Sequence, residues 1–372
     1  MVSTMAPSYQ RVYLTAMGYE LGPQIVTSAE IEARLAPFYE RQHLQAGQLE
    51  AWTGIVERRW WDEGARLSAG ATAAARKALS RANLGPEDLE VVIYAGVCRE
   101  NFEPATACAV ADNLGVHGQA SVFDLSNACL GVLNGMLDVA NRIELGQIRA
   151  GLVVSCESAR EINEVAIANL LGAGRGGGTL PGMPEFTEAL ATFTGGSGAV
   201  AMLLTDGSFP GVRGHRLCGA VSHVAPQHHR LCRWGIEAVA AEPSGAAELI
   251  QGGQRYAQYM ATDSVAVLKH GVQLGQETWQ AFMRHMAWTP DMVDRVICHQ
   301  VGSGHQDAIL RSLQVPREKD YTTFPYLGNM GTAALPVTAA IADERGILKA
   351  GQRVSFLGIG SGLTCLMMGL EW

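Results

Sequence analysis

From Val91 onward, the stretch LEVVIYAGV (Leu89 to Val97) is apolar at odd and even positions alike and rich in β-branched side chains. A strand wetted on one face would alternate; a short continuous run reads as a strand buried on both faces, as in a parallel sheet covered by helices on either side. Such covering helices follow. Pro104, at the first helical position, and Gly115 bracket ATACAVADNL as a helix. SVFDLS (Ser121 to Ser126) then reads as a strand, CLGVLNGMLDVANRIEL as a helix closed by Gly146, and IRAGLVVSCES as a strand, giving the order β-α-β-α-β.

A comparable order returns near the C-terminus: VDRVICHQV, a helix over 306–313, the strand-like YTTFPYLG, a helix from Thr332, and QRVSFLGIGSG. Two copies of one unit at similar spacing suggest a duplicated α/β fold, with halves 1–205 and 206–372 related by a pseudo-twofold axis. In such a fold the strand ends of both halves face one central crevice.

Between the units, LLGAGRGGGTLPGMPEF forms a Gly-rich insertion over about 172–183. Gly172, Gly174 and Gly177 have GxGxxG spacing, but they follow the helix-like EINEVAIANLL instead of a strand, and no P-loop lysine follows. The segment is expected to be a surface loop. Residues 253–270 and the following KHGVQLGQETWQAFM read as helix, with Val272, Leu274, Trp279 and Phe282 buried.

Composition removes several classes of function. With 48% hydrophobic and 17% charged residues the chain is globular. A net charge of -8 with scattered basic residues argues against nucleic acid as a partner. The N-terminus lacks a signal-peptide pattern and no apolar run is long enough to span a membrane, so a cytoplasmic location is expected. Eight cysteines without a CxxC pair fit reduced, mostly buried thiols better than a disulfide framework. His228, His229 and Cys232, with His215, Cys218 and His223 nearby in sequence, lack paired ligand spacing, so no metal is expected.

The chemistry concentrates at SNACLGVLNG, where Cys129 stands between a strand and a helix that Ser126 or Asn127 could cap. Free N–H groups and the helix dipole there would lower a thiol's pKa and make it nucleophilic. Cysteine is equally at home as a small buried hydrophobe. A thiolate that accepts an acyl group also needs a proton partner and donors for the oxyanion. His299, ending RVICHQ, and Asn329, in the second unit's counterpart of the Cys129 turn, are candidates, although a core histidine and a helix cap would look the same.

SNACLGVLNGM, CHQVGSGHQDAI, YLGNMGTAALP and FLGIGSG together resemble the active-site segments of the thiolase superfamily, in its ketoacyl synthase III-like branch, and TGIVERR is similar to a motif near that branch's N-terminus. The resemblance spans nearly the whole chain. It implies a five-layered αβαβα thiolase fold, with Cys129 as the acyl-accepting nucleophile, His299 and Asn329 completing the site, and the backbone N–H groups of Cys129 and Ser361 as an oxyanion hole. Many relatives have glycine at the Ser361 position; a main-chain donor tolerates serine. Arg58 and Arg59 could then meet a CoA phosphate or make surface ion pairs.

Within the branch, CRENFEPATACAVADNLG and APQHHRLCRWG look like the OleA-type thiolases of olefin biosynthesis, which join two long-chain acyl-CoAs. Glu103, 26 residues before Cys129, falls where that group carries a catalytic glutamate reaching across a homodimer interface. Without a carboxylate to lose as CO2, a condensing enzyme must abstract an α-proton, and a carboxylate can do so. Against this, an acid beside a helix start is stabilised as the anion and made a weaker base.

The expected activity is nondecarboxylative Claisen condensation of two acyl-CoAs in a homodimer, with no cofactor beyond the CoA thioester substrates and with downstream enzymes taking the product. Alternatives are decarboxylative synthesis with malonyl-ACP, acyl transfer to an alcohol or amine, and an inactive supporting subunit.

Overall fold

The computed structural model describes residues 8–172, 180–239, 249–251 and 254–372. Nine strands form its main sheet: β1 (Tyr13–Leu21), β2 (Val91–Ala95), β3 (Ser121–Leu125), β4 (Ala150–Glu157), β5 (Gly198–Thr205), β6 (His215–Val224), β7 (Arg295–Cys298), β8 (Arg353–Gly360) and β9 (Thr364–Glu371). Their spatial order is β7-β8-β9-β6-β1-β5-β4-β2-β3. Only Tyr13↔Arg216 and Leu14↔His215 join β1 to β6, so the sheet divides there into two parts. In the first part β2 lies parallel to β3 and β4, with β5 and β1 added antiparallel. The second repeats this scheme: β7 is parallel to β8, followed by antiparallel β9 and β6.

Strand alternation builds the layers. Val92 and Tyr94 face α1 (Leu67–Ala82) and α2 (Thr106–Leu114), whereas Val91, Ile93 and Ala95 face α3 (Gly131–Glu144). The same central cluster holds Phe356, Leu366 and Met368 of the second sheet part. On that part's other face, Val296, Cys298 and Met367 pack against Leu274, Trp279 and Phe282 of α4 (Ser264–Met286) and Leu310 of α5 (Ser303–Leu313). The remaining central helix, α6 (Ala334–Glu344), is buried continuously from Ala334 to Ala342, which fits its largely apolar sequence. Helices, sheet, helices, sheet, helices: this is the αβαβα arrangement the resemblance implies.

Some expectations need correction. YTTFPYLG forms no strand: Asp320 makes a single bridge to Val296, and Phe324–Leu327 is a short helix with Pro325 in its first turn. Proline supplies no N–H to a ladder, and Gln300 Oε1 accepts those of Thr323 and Phe324 at 2.8 and 3.1 Å. Gln254–Thr262 is a strand rather than the start of a helix; Asp263 then caps α4 through the Ala266 N–H at 2.9 Å, while Gly253 lies outside the described residues. Leu274, Trp279 and Phe282 are buried as expected, but Val272 is only half-buried. All eight cysteines are free; Cys156, Cys298 and Cys365 are buried as whole residues, and Cys129 is half-buried as a residue although its thiol is desolvated.

Gly174 and Gly177 of the Gly-rich insertion lie outside the described residues. Arg58 is on no exposed loop. It is fully buried in the strand Glu57–Trp60 and donates to Val26 O, Ser28 Oγ and Phe193 O at 3.4, 3.1 and 2.9 Å.

Candidate active site

Cys129 occupies a tight turn between β3 and α3, in which Leu130 N–H donates to Asn127 O at 2.9 Å. Ala128 takes φ 45°, unusual for a residue with a Cβ. Neither expected side-chain cap forms. Leu130 holds the cap position without a side-chain bond, and Asn127 Nδ2 donates to Asn134 Oδ1 at 2.7 Å. Val132 N–H instead reaches Thr332 Oγ1, at 2.8 Å, from the second half of the chain.

The end of β8 closes on this turn: a Cβ on Gly360 would lie 3.3 Å from Cys129 N and 3.5 Å from its Cβ. The next residue is Ser361, and the backbone N–H groups of Cys129 and Ser361 both face the thiol. Burial pushes the thiol up to about 12, with smaller contributions from Cys232 and Glu157, and the two N–H groups oppose this only partly. The lowered pKa expected from the helix start is therefore overturned: desolvation outweighs the local donors.

His299 follows β7, and its N–H donates to Leu357 O at 3.0 Å. Burial, and secondly the neighbouring His305, lower its pKa from 6.5 to about 4, so the ring is neutral near pH 7. Nδ1 is buried with no hydrogen-bond partner.

Asn329 is clamped by its backbone, donating to Thr194 O at 2.8 Å and accepting from Gly196 N–H at 2.9 Å. Only glycine fits at 196, where a Cβ would lie 1.9 Å from Leu327 O. Because Asn329 Oδ1 accepts the Gly331 N–H at 3.0 Å, the amide NH2 is left as a donor.

Cys129, His299, Asn329 and Ser361 line one cavity of about 420 Å³. Most of its remaining wall is apolar, including Leu190, Leu268, Val272 and Ile309. Such a space fits a hydrocarbon chain with its reactive end at Cys129.

Glu103 is exposed and outside this wall. The adjoining helix starts at Thr106, not Pro104, and its N-terminus is capped by Asp124, whose carboxylate accepts the N–H groups of Thr106 and Ala107 at 3.0 and 2.9 Å. The N–H groups at this helix start are thus taken up by Asp124 and not by Glu103.

Cys232 and His305 also line the cavity, which the sequence reading missed. For His305 the available signal was its position in the first turn of the helix after His299. Cys232 was read only as a possible ligand; His228 stacks on His270 with centroids 3.9 Å apart, and among the described residues no three His, Cys, Asp or Glu side chains converge as a metal site.

Comparison with known proteins agrees with this architecture. Residues 283–372 match the family described as 3-oxoacyl-[acyl-carrier-protein (ACP)] synthase III C terminal. An acyl-CoA:acyl-CoA alkyltransferase of Shewanella oneidensis is 51% identical over 98% of this chain and 99% of its own. A second, from Xanthomonas campestris, is 34% identical over 98% and 99%. Crystal structures of Xanthomonas campestris OleA superpose with a TM-score of 0.87 at 33% identity, covering 98% of both chains. A cysteine-to-serine OleA variant with bound lauric acid and lauroyl-CoA matches at 0.85, covering 98% of this chain and 100% of that one. The chain therefore belongs to the acyl-CoA:acyl-CoA alkyltransferases, the OleA-type members of the ketoacyl synthase III-like thiolase superfamily.

Proposed function

We propose that this enzyme joins two long-chain acyl-CoAs head to head by a nondecarboxylative Claisen condensation. The observation that carries the reading is the apolar cavity that Cys129, His299, Asn329 and Ser361 line together. In the first step the Cys129 sulfur attacks an acyl-CoA thioester, the thiol proton passes to neutral His299 and from it to the departing sulfur, and CoA leaves as the thiol. The N–H groups of Cys129 and Ser361 hold the oxyanion. Because the resting thiol is protonated, its deprotonation belongs to the acylation step itself.

In the second step Glu103 takes an α-proton from another acyl-CoA while His299 and the Asn329 NH2 hold its thioester oxygen. The enolate carbon attacks the acyl-enzyme carbonyl, and the C–S bond to Cys129 breaks. The product is a 2-alkyl-3-oxoacyl-CoA, which hydrolysis converts to the β-keto acid and CoA. The exposure of Glu103, outside its own protomer's cavity, supports a role in the partner's site of a homodimer. In the OleA variants of known structure, the replaced glutamate and cysteine have the same sequence separation as Glu103 and Cys129, which supports this assignment.

We place the boundary between the two halves at 205/206, in the connection between β5 and β6, so that the site forms where they meet. No helix among the described residues is long and apolar enough to cross a membrane. With eight free cysteines, this supports a cytoplasmic location.

The test is incubation with one long-chain acyl-CoA and no malonyl donor, following CoA release and condensed product by mass spectrometry. Product that vanishes in Cys129→Ser supports the reading. Strict dependence on malonyl-ACP with CO2 release overturns it.

A further inference from the structure

Glu157, the last residue of β4, is 3% exposed and has no role in the steps above. A buried carboxylate requires compensation. Here it comes from backbone donors: Val97 N–H at 2.9 Å, Cys98 N–H at 3.0 Å, and the Thr332 N–H, which also faces it. Burial raises its pKa and these N–H groups pull it back. Gly331 closes directly over the group, since a Cβ there would lie 3.3 Å from Glu157 Cδ and 3.4 Å from Oε1.

The donors belong to segments that the reaction uses. Val97 and Cys98 open the stretch leading to Glu103. Gly331 and Thr332 belong to the turn after Asn329, where Gly331 N–H fixes the Asn329 amide and Thr332 Oγ1 caps the helix behind Cys129. A single carboxylate therefore ties the Glu103 segment to the Asn329 turn, and through Thr332 to the nucleophile's helix.

We propose that Glu157 is a positioning residue for condensation, holding the Glu103 segment and the Asn329 turn in register with Cys129; this rests on the roles assigned to those residues above. Glutamine is nearly isosteric, but it replaces one acceptor oxygen with an NH2 that opposes the N–H donors. Displacing the groups that activate and hold the second substrate impairs condensation more than the acylation that precedes it.

The experiment compares wild type, Glu157→Gln, Glu157→Asp and Cys129→Ser, measuring Cys129 acylation by intact mass, condensation rate and Tm. The expected result for Glu157→Gln is wild-type acylation stoichiometry with condensation slowed about 100-fold. Wild-type condensation overturns the proposal. So does a common fall in acylation, condensation and Tm, which marks a purely structural role. If Glu157→Gln does not fold, Glu157→Asp makes the same comparison, retaining both oxygens on a shorter arm: condensation slowed about 10-fold with acylation intact supports the proposal, and unchanged condensation overturns it. Product from Cys129→Ser would refute the nucleophile assignment, an outcome separate from the failure of the Glu157 proposal.

Discussion

Thr332 Oγ1 accepts the backbone N–H of Val132 at 2.8 Å, so a residue of the second half caps the helix that follows Cys129 in the first. The cap therefore joins segments 200 residues apart in the chain. Thr332 is 1% exposed, and Thr332→Val keeps its shape while leaving the Val132 N–H buried without an acceptor. The expected loss is about 1–2 kcal/mol of stability, read from denaturant unfolding, with slower Cys129 acylation. Unchanged stability and acylation would show that the cap contributes nothing.

The Cys129 thiol, at about 12, is protonated at neutral pH. Its alkylation, mapped by peptide mass, should be slow at pH 8 and still rising beyond pH 9, the ordinary thiol value, because the thiolate fraction has not saturated. Cys108 is exposed and serves as an accessible internal reference. A plateau below pH 8 would instead reveal a resting thiolate.

Burial at His299 has a signature of opposite direction. Above pH 6.5 the ring is neutral folded or unfolded; between 6.5 and about 4 the unfolded chain takes up a proton that the folded site refuses. The unfolded state then binds more protons, so stability falls as pH falls through this window. His299→Asn should narrow the difference in Tm between pH 7 and pH 5 relative to wild type. An identical pH dependence in the two proteins would refute the assigned shift.

Cys129, His299 and Asn329 are legible as candidates because each follows a strand or stands before a central helix, and the fold brings all three to one cavity. Other features depend on partners remote in sequence. Whether a thiol near a helix start is lowered or raised depends on desolvation by β8 and the cavity wall, which no local pattern records. The Val132 cap comes from Thr332, and the role of Glu157 emerges only where β4 meets the turn after Asn329. YTTFPYLG has strand-like composition, but Pro325 and the hydrogen bonds from Gln300 divert it. Arg58 looked like a surface cation because its acceptors, among them Phe193 O, lie far along the chain.

Arg58 separates structure from binding. Its pKa is lowered by burial to about 10, and its guanidinium is held by Val26 O, Ser28 Oγ and Phe193 O, which Arg58→Met leaves without these donors, so the variant should lose about 1–3 kcal/mol of stability in denaturant unfolding. The folded fraction should keep the wild-type KM for acyl-CoA. A raised KM with unchanged stability would return Arg58 to the CoA phosphate.

The final prediction concerns Glu103, exposed on its own protomer, and Cys129, inside the cavity. Glu103→Ala should retain Cys129 acylation and lose condensation; Cys129→Ser should lose both. If the base comes from the partner, a mixed dimer contains one complete site, because the Cys129→Ser subunit supplies Glu103 to the Cys129 of the Glu103→Ala subunit. Co-expressing the two variants with different tags and purifying the mixed dimer should recover condensation that neither homodimer shows. A mixed dimer that remains inactive while its Cys129 is still acylated would place Glu103 outside the partner's site, and the α-proton would need another acceptor.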